Sequence, residues 1–331
     1  MVIISSQNSD ISTGEVMDWL RSMGTPVYRI NGEVFEAALG EFEMNIRPEM
    51  PASLTLEVEG KPVALEDITA FWFRRSAIDN TAASRLESYS ASPDLKKQML
   101  GHLGMESSAL QTAFFSWLSD KKTLGNYREK GMNKLAVLQM ARATGLEVPA
   151  TLVTNSKEKL RTFARQYPEM ITKCLSEVRS FQLEGKMMGM YTSTLDIAEV
   201  EDLPDFFAPS LFQQNIQKEF ELRVFYLAGE VFSMAIFSQL DPVTAVDFRQ
   251  YNHEKNNRVV PYALPDDITD KIRKLMSALS LNTGSVDIIK STDRKYIFLE
   301  VNPVGQFGMV SKPCNYFLEK KIAQFLMSNT A

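Results

Sequence analysis

The chain has 331 residues, 44% of them hydrophobic, and a formal net charge of −5 with the two signs well mixed. That is apolar material for two or three cored domains, and the slightly acidic balance excludes a general basic nucleic-acid face. Two cysteines, Cys174 and Cys314, exclude a disulfide framework, and two histidines direct any metal site toward hard cations held by oxygen.

In chain order, MVIISS (1–6) reads as a buried strand, followed by a helix near Thr13–Met23 that stops at Gly24. The start has no basic n-region and no run approaches a bilayer span, so the expectation is a cytoplasmic protein. PVYRIN is a second strand. LTLEVEGKPVAL reads as a hairpin turning at Gly60-Lys61, with a further strand over 69–74. Strands alternating with helices predict a small α/β domain over 1–118. Ser92-Pro93 opens a long helix ending near Trp117. SDKKTLGNYREKG (119–131) is polar and aperiodic and reads as a linker.

A second unit, 132–208, starts with a helix carrying the stripe Leu135, Leu138, Ala141 and ending at Gly145. A helix over 156–166, a strand over 169–173 and a loop and hairpin around Gln182–Tyr191 follow. The third unit, 209–331, opens with a long hairpin turning at Ala228-Gly229-Glu230, then the polar loop DFRQYN and a helix near 266–279. It ends on the hairpin VDIIKSTDRKYIFLEVNP and an amphipathic helix, NYFLEKKIAQFL.

The last hairpin carries the chemistry. Strand alternation puts Ile297, Leu299 and Val301 on one face and Phe298, Glu300 and Asn302 on the other. In the simplest register Asp287 faces Phe298 and lies diagonal to Glu300, so Asp287, Glu300 and Asn302 converge. Adjacent carboxylates repel unless a cation joins them, and two carboxylates with an amide oxygen suit Mg²⁺. A wet amphipathic hairpin explains the same pattern. Lys134, in the first turn of its helix, opposes the helix dipole unless an anion binds there. Lys173 ends a strand and can contact phosphate. Glu221 and Arg223 share the polar side of ELRVF, which is also what a weak surface ion pair looks like.

Taken in order, these pieces resemble the ATP-grasp ligases: a lysine opening a helix (Lys134), a lysine ending a strand (Lys173) and a hinge, FQQNI. Glu221, the loop arginine Arg249 and the Asp…Glu-x-Asn set follow. FxExNPxGQFG and ITAFWFRR resemble the microviridin-type branch, which macrocyclises ribosomally made peptides, and VSKPCNYFLEKKIAQFL resembles its grasp-with-spasm maturases. The loop after Lys173 departs from the family in lacking a glycine-rich lid.

The resemblance implies an α/β ATP-grasp fold with ATP held between the central and C-terminal subdomains, and two Mg²⁺ ions. Lys134 and Lys173 would contact phosphates. Gln213, Gln214, Asn215 and Ile216 would form the adenine hinge, Glu221 would bind ribose, and Arg249 the phosphate and developing acyl phosphate. Arg249, Lys173 and Arg223 would be catalytic, and Asp287, Glu300 and Asn302 would hold the metal. Arg74, Arg75, Met188 and Tyr191 would meet a precursor peptide of leader and core, and a homodimer is expected. The implied reaction activates an Asp or Glu side chain as an acyl phosphate, which a Thr/Ser hydroxyl or Lys amine then attacks to close an ester or amide ring. Two other readings compete: an ATP-grasp ligase adding a free amino acid to a protein or small acid, and a non-catalytic leader-binding scaffold.

Overall fold

The computed structural model describes residues 1–31, 42–74, 92–126, 132–176, 180–183, 186–189, 192–239 and 257–328, with backbone alone for 180–183 and 186–189. The chain forms two compact units, Met1–Lys130 with Phe317–Ala331, and Gly131–Tyr316.

The first unit is built on a parallel sheet. Strand β1 (Val2–Ser6) is buried along its whole length and lies between β2 (Val27–Asn31) and β6 (Ala70–Phe73). Strands covered on both faces read as continuous apolar runs, as VIISS and AFWF do. Helix α1 (Ile11–Ser22) starts at Asp10, whose side chain accepts from the Thr13 N–H, and a left-handed Gly24 follows its end. A three-stranded antiparallel sheet of β3 (Phe42–Arg47), β4 (Met50–Val58) and β5 (Lys61–Ala64) joins the unit. Leu54, Leu56 and Val63 from this sheet share a core with Ile3, Phe71 and Phe73, closed by Phe114 and Leu118 of helix α2 (Pro93–Leu118). The β4–β5 turn falls on Glu59-Gly60, both at positive φ, one residue earlier than predicted.

Two sequence expectations for this unit are corrected. The stretch 119–131, read as a linker, contains strand β7 (Lys122–Leu124), which pairs in parallel with β6 and buries Leu124. Three residues carry no periodicity of their own, so only the partner strand defines them. The closing helix, placed with the C-terminal subdomain, belongs to this unit.

In the second unit, helix α3 (Lys134–Ala143) is capped by Asn133, whose side chain accepts from the Leu135 and Ala136 N–H groups. The next sheet has the order β12-β9-β13-β8, from β8 (Thr151–Ser156), β9 (Met170–Lys173), β12 (Ser193–Leu195) and β13 (Phe206–Gln214). Helices α4 (Lys157–Gln166) and α5 (Ile197–Asp202) cover it through Leu160, Ala164 and Val200. The hairpin expected around Gln182–Tyr191 is present as β10 (Ser180–Leu183) and β11 (Lys186–Gly189).

A five-stranded antiparallel sheet follows, ordered β16-β15-β14-β17-β18. Its strands are β14 (Lys218–Leu227), β15 (Glu230–Phe237), β16 (Arg258–Tyr262), β17 (Thr283–Ser291) and β18 (Tyr296–Asn302). Leu222, Val224, Val286, Ile288 and Phe298 on one face pack with α3 and helix α6 (Asp266–Ala278). A short helix α7 (Gly308–Cys314) ends at a left-handed Asn315, and after a left-handed Phe317 helix α8 (Leu318–Met327) re-enters the first unit against α1. The predicted boundary at 208/209 cuts through β13, which sits between β9 and β8. The break between the two sheets falls after Gln214, because sheet membership is decided by pairing with strands distant in sequence.

Candidate functional site

The two sheets of the second unit face a cleft. Ile171 and Lys173 of β9, and Gln213 and Gln214 of β13, line one side. Lys218, Glu221, Asp287 and Glu300, from β14, β17 and β18, line the other, and Asn215 and Ile216 join the two. The polypeptide is pinned here by the Gln214 N–H, which donates to the Ala150 carbonyl at 2.9 Å, and the Asn215 N–H, which donates to Glu169 at 3.0 Å. Gln213 is buried, and its Nε2 donates to Thr151 Oγ1 at 2.8 Å.

Pairing across the sheet sets Arg223 opposite Asp287, and Asp287 opposite Glu300, in one row over three strands. The predicted register is therefore corrected. Ile288 pairs with Phe298 and Asp287 with Glu300, so Leu299 is the extra residue of a β-bulge. The bulge breaks the alternation read from the sequence. Phe298 and Val301 pack on the core side, whereas Leu299 and Glu300 both line the cleft. Glu300 does reach Asp287, but by a directly opposed pairing and not as a diagonal neighbour.

Arg223 and Asp287 form a buried ion pair, 6% and 9% exposed, in which Arg223 Nη1 donates to both carboxylate oxygens at 2.7 and 2.6 Å. Glu221, 7% exposed, is bonded to Lys218 and accepts from Ser238 Oγ at 2.7 Å. Burial pushes the Glu221 carboxyl up from its usual range, with Lys218 and Ser238 acting against it. Glu221 and Arg223 thus do not form the surface pair their spacing allowed. They belong to the middle strand of the sheet, whose polar side faces the cleft and not bulk water.

Other predicted positions fall differently. Lys134 Nζ donates to the Ser176 carbonyl at 3.0 Å, just after β9, and is not among the cleft-lining residues. Asn302 Oδ1 accepts from the Val304 and Gly305 N–H groups at 3.1 and 3.2 Å, so its amide holds a turn and it does not line the cleft. Arg74, expected to meet acidic peptide side chains, is 2% exposed in the first unit, 3.1 Å from Asp10 and beside the Trp72 ring. Arg75, Tyr191 and Arg249 lie outside the described residues, as does the side chain of Met188.

Sequence reasoning missed Lys218. Residues three apart point to opposite faces of a regular strand, so Lys218 and Glu221 gave no signal as a pair. A second register shift, between Lys218 and Phe220, leaves Glu219 unpaired and brings the two side chains together.

Asp287 and Glu300 are two opposed carboxylates with no thiol or imidazole nearby in the cleft lining, a donor set that fits a hard divalent cation. Among the described residues no group of three or more His, Cys, Asp or Glu side chains is placed to hold a metal. The protein would supply two carboxylates here, and water and phosphate oxygens would complete the coordination.

No family model matches the chain, and no curated protein matches it in sequence. Solved structures do. A RiPP-associated ATP-grasp ligase from Chryseobacterium gregarium, in complex with ADP and a leader and core peptide, superposes with a TM-score of 0.81 at 24% identity, covering 98% of this chain and 94% of that one. The macrocyclase MdnC from Microcystis aeruginosa MRC, bound with the precursor peptide MdnA, gives 0.77 at 25% identity over 98% and 99%. The D-alanyl-alanine synthetase A of Vibrio cholerae gives 0.55 at 13% identity over 98% and 97%. The chain has the ATP-grasp fold. Among its structural neighbours are ATP-grasp ligases solved with ADP and a leader, core or minimal precursor peptide, two of them also with Mg.

Proposed function

We propose that the protein is an ADP-forming ATP-grasp ligase that closes rings in a ribosomally made precursor peptide. ATP would lie in the cleft, with its base against Gln213–Ile216, its ribose at Glu221 and its phosphates near Lys173 and Lys134. A peptide Asp or Glu carboxylate attacks the γ-phosphate, giving an acyl phosphate and ADP. A Thr/Ser hydroxyl or Lys amine of the same peptide then attacks the acyl carbon and releases phosphate, forming an ester or an amide. Mg²⁺ held by Asp287 and Glu300 would neutralise phosphate charge. Arg223 holds the Asp287 carboxylate in place, and Lys173 brings a cation to the phosphate end of the cleft. The role of Arg249 rests on the family resemblance. The observation that carries the reading is the row Arg223–Asp287–Glu300, whose two carboxylates line one cleft together with Gln213–Ile216 and Lys173. Two buried charges and a half-buried one in line serve a binding site better than they serve folding.

A homodimer belongs to this reading. Helix α2 exposes Leu95, Met99, Leu103 and Leu110 along one stripe, an apolar surface that a second copy would cover. Light scattering on wild type and on Met99→Glu/Leu103→Glu reads it, the double variant being expected to run as a monomer. No helix among the described residues is long and apolar enough to cross a membrane. The site of action in this reading is the cytoplasm, where ATP and new peptide meet.

The test is the intact mass of a precursor peptide, rich in Thr and Asp/Glu, after incubation with the protein, ATP and Mg²⁺. Loss of about 18 Da per ring with matching ADP release is expected, and mild hydroxide would open esters but not amides. Peptide binding without mass loss would favour the scaffold. ATP turnover driven by free amino acids would favour the simpler ligase. Unchanged ATP turnover in Glu300→Gln would remove the metal assignment.

A further inference from the structure

Glu221 is anchored unevenly. Its Oε1 accepts from both Lys218 Nζ and Ser238 Oγ, while no group among the described residues donates to Oε2. The side chain nevertheless lines the cleft. The Lys218 side chain is itself only 8% exposed, and the unpaired Glu219 is what turns it toward Glu221. The lysine and the hydroxyl thus both bind the same oxygen of a carboxylate that lines the cleft.

We propose that Lys218 is a positioning residue for the sugar of the bound nucleotide: with Ser238 it locks Glu221 so that Oε2 accepts from the ribose hydroxyls. This rests on the nucleotide-binding reading above. The physics is that of a charged acceptor held rigid before the ligand arrives. Burial pushes the carboxyl toward the protonated acid, which would offer the sugar a donor where it needs an acceptor, and the Lys218 ammonium and the Ser238 hydroxyl act against that. A hydrogen bond to a charged acceptor changes affinity about ten- to a hundred-fold. The site therefore selects nucleotides that carry sugar hydroxyls, and the selectivity depends on a residue that need not touch the nucleotide.

Calorimetric titration with ADP, 2′-deoxy-ADP and 2′,3′-dideoxy-ADP in Mg²⁺ tests this on the full chain. Wild type is expected to prefer ADP over the dideoxy form by about ten-fold or more. Lys218→Met should bring the three ligands within about two-fold of one another, mainly by weakening ADP, and Lys218→Arg should restore part of the gap. A variant that damaged the cleft generally would weaken all three ligands equally and keep their ratio. Should Lys218→Met fail to fold, Ser238→Ala removes the other anchor and should narrow the gap in the same direction. Full discrimination in Lys218→Met, or in Ser238→Ala where that variant is used, overturns the proposal. So does wild type that binds ADP without discriminating, though nucleotide binding then stands. Wild type that binds none of the three overturns the nucleotide reading itself.

Discussion

Arg223 and Asp287 show what single residues contribute at this site. Each is buried, and each would be costly alone, because a charge taken out of water is stabilised only by a partner held close. Arg223→Met should therefore lower folding stability by about 3 kcal/mol, read by thermal or denaturant melting. Asp287→Leu added to it should recover much of that loss, since the pair would then be replaced by apolar packing and no uncompensated charge would remain. A double variant as unstable as the single one would mean the pair is not the cause. The two cysteines make a second contrast. Burial pushes the Cys314 thiol up, whereas Cys174 is half-exposed just beyond Lys173. Under native conditions iodoacetamide should label Cys174 first and reach Cys314 only on unfolding, as peptide mass mapping would show.

At the scale of elements, the two register shifts in the five-stranded sheet matter most. Leu299 is the extra residue in β18, so deleting it should regularise the ladder and leave Glu300 opposite Asp287. Deleting Val301 instead would bring Asn302 opposite Val286 on the core side, since one residue reverses every side chain beyond it. Titration with Mn²⁺ together with thermal melting should find the first deletion folded and metal-binding, and the second destabilised. Loss of metal binding in both would show that the bulge itself is needed. The turn after β18 is equally constrained. Gly305 sits at φ +61, where a Cβ would come 3.0–3.1 Å from the Gly284 and Ser285 backbone. Gly305→Ala should cost about 1–3 kcal/mol, from the left-handed conformation and the close approach together.

For the whole molecule, the chain's path matters more than any single contact. The chain leaves the first unit, builds the second, and returns with α8 to complete the first. Leu318, Ile322 and Leu326 are buried in that return, each contributing about 1.5–3 kcal/mol. Truncation after Tyr316 should thus destabilise the N-terminal unit, far away in sequence, and leave the proposed nucleotide cleft able to bind ADP. Hydrogen exchange resolved by peptide would show fast exchange in β1 and β6 and continued protection in β14 and β17. Uniformly fast exchange would show the two units to be one cooperative body. ADP and Mg²⁺ at a hundred times Kd should add about 2.7 kcal/mol, seen mainly as slower exchange in the second unit.

Much of this was legible in the sequence because it is encoded locally. Helix starts at Ser92-Pro93 and Asn133-Lys134, the Ala228-Gly229 turn, and the buried runs of β1 and β6 follow from caps, backbone preference and continuous apolarity. The acidic pair on the last hairpin could also be read, since residue type and order carry it, and the family resemblance pointed to FQQNI, whose residues 213–216 line the cleft. Three things required the tertiary structure. Strand β7 and the placing of β13 depend on partners far along the chain, which no local pattern contains. The assignment of α8 to the first unit depends on which apolar face it covers. The link between Lys218 and Glu221, and the direct opposition of Asp287 and Glu300, arise from two single-residue bulges. Strand alternation is a rule about regular pairing. Where the pairing slips by one residue, the same sequence points its charges the other way, and only the register of the neighbouring strand decides it.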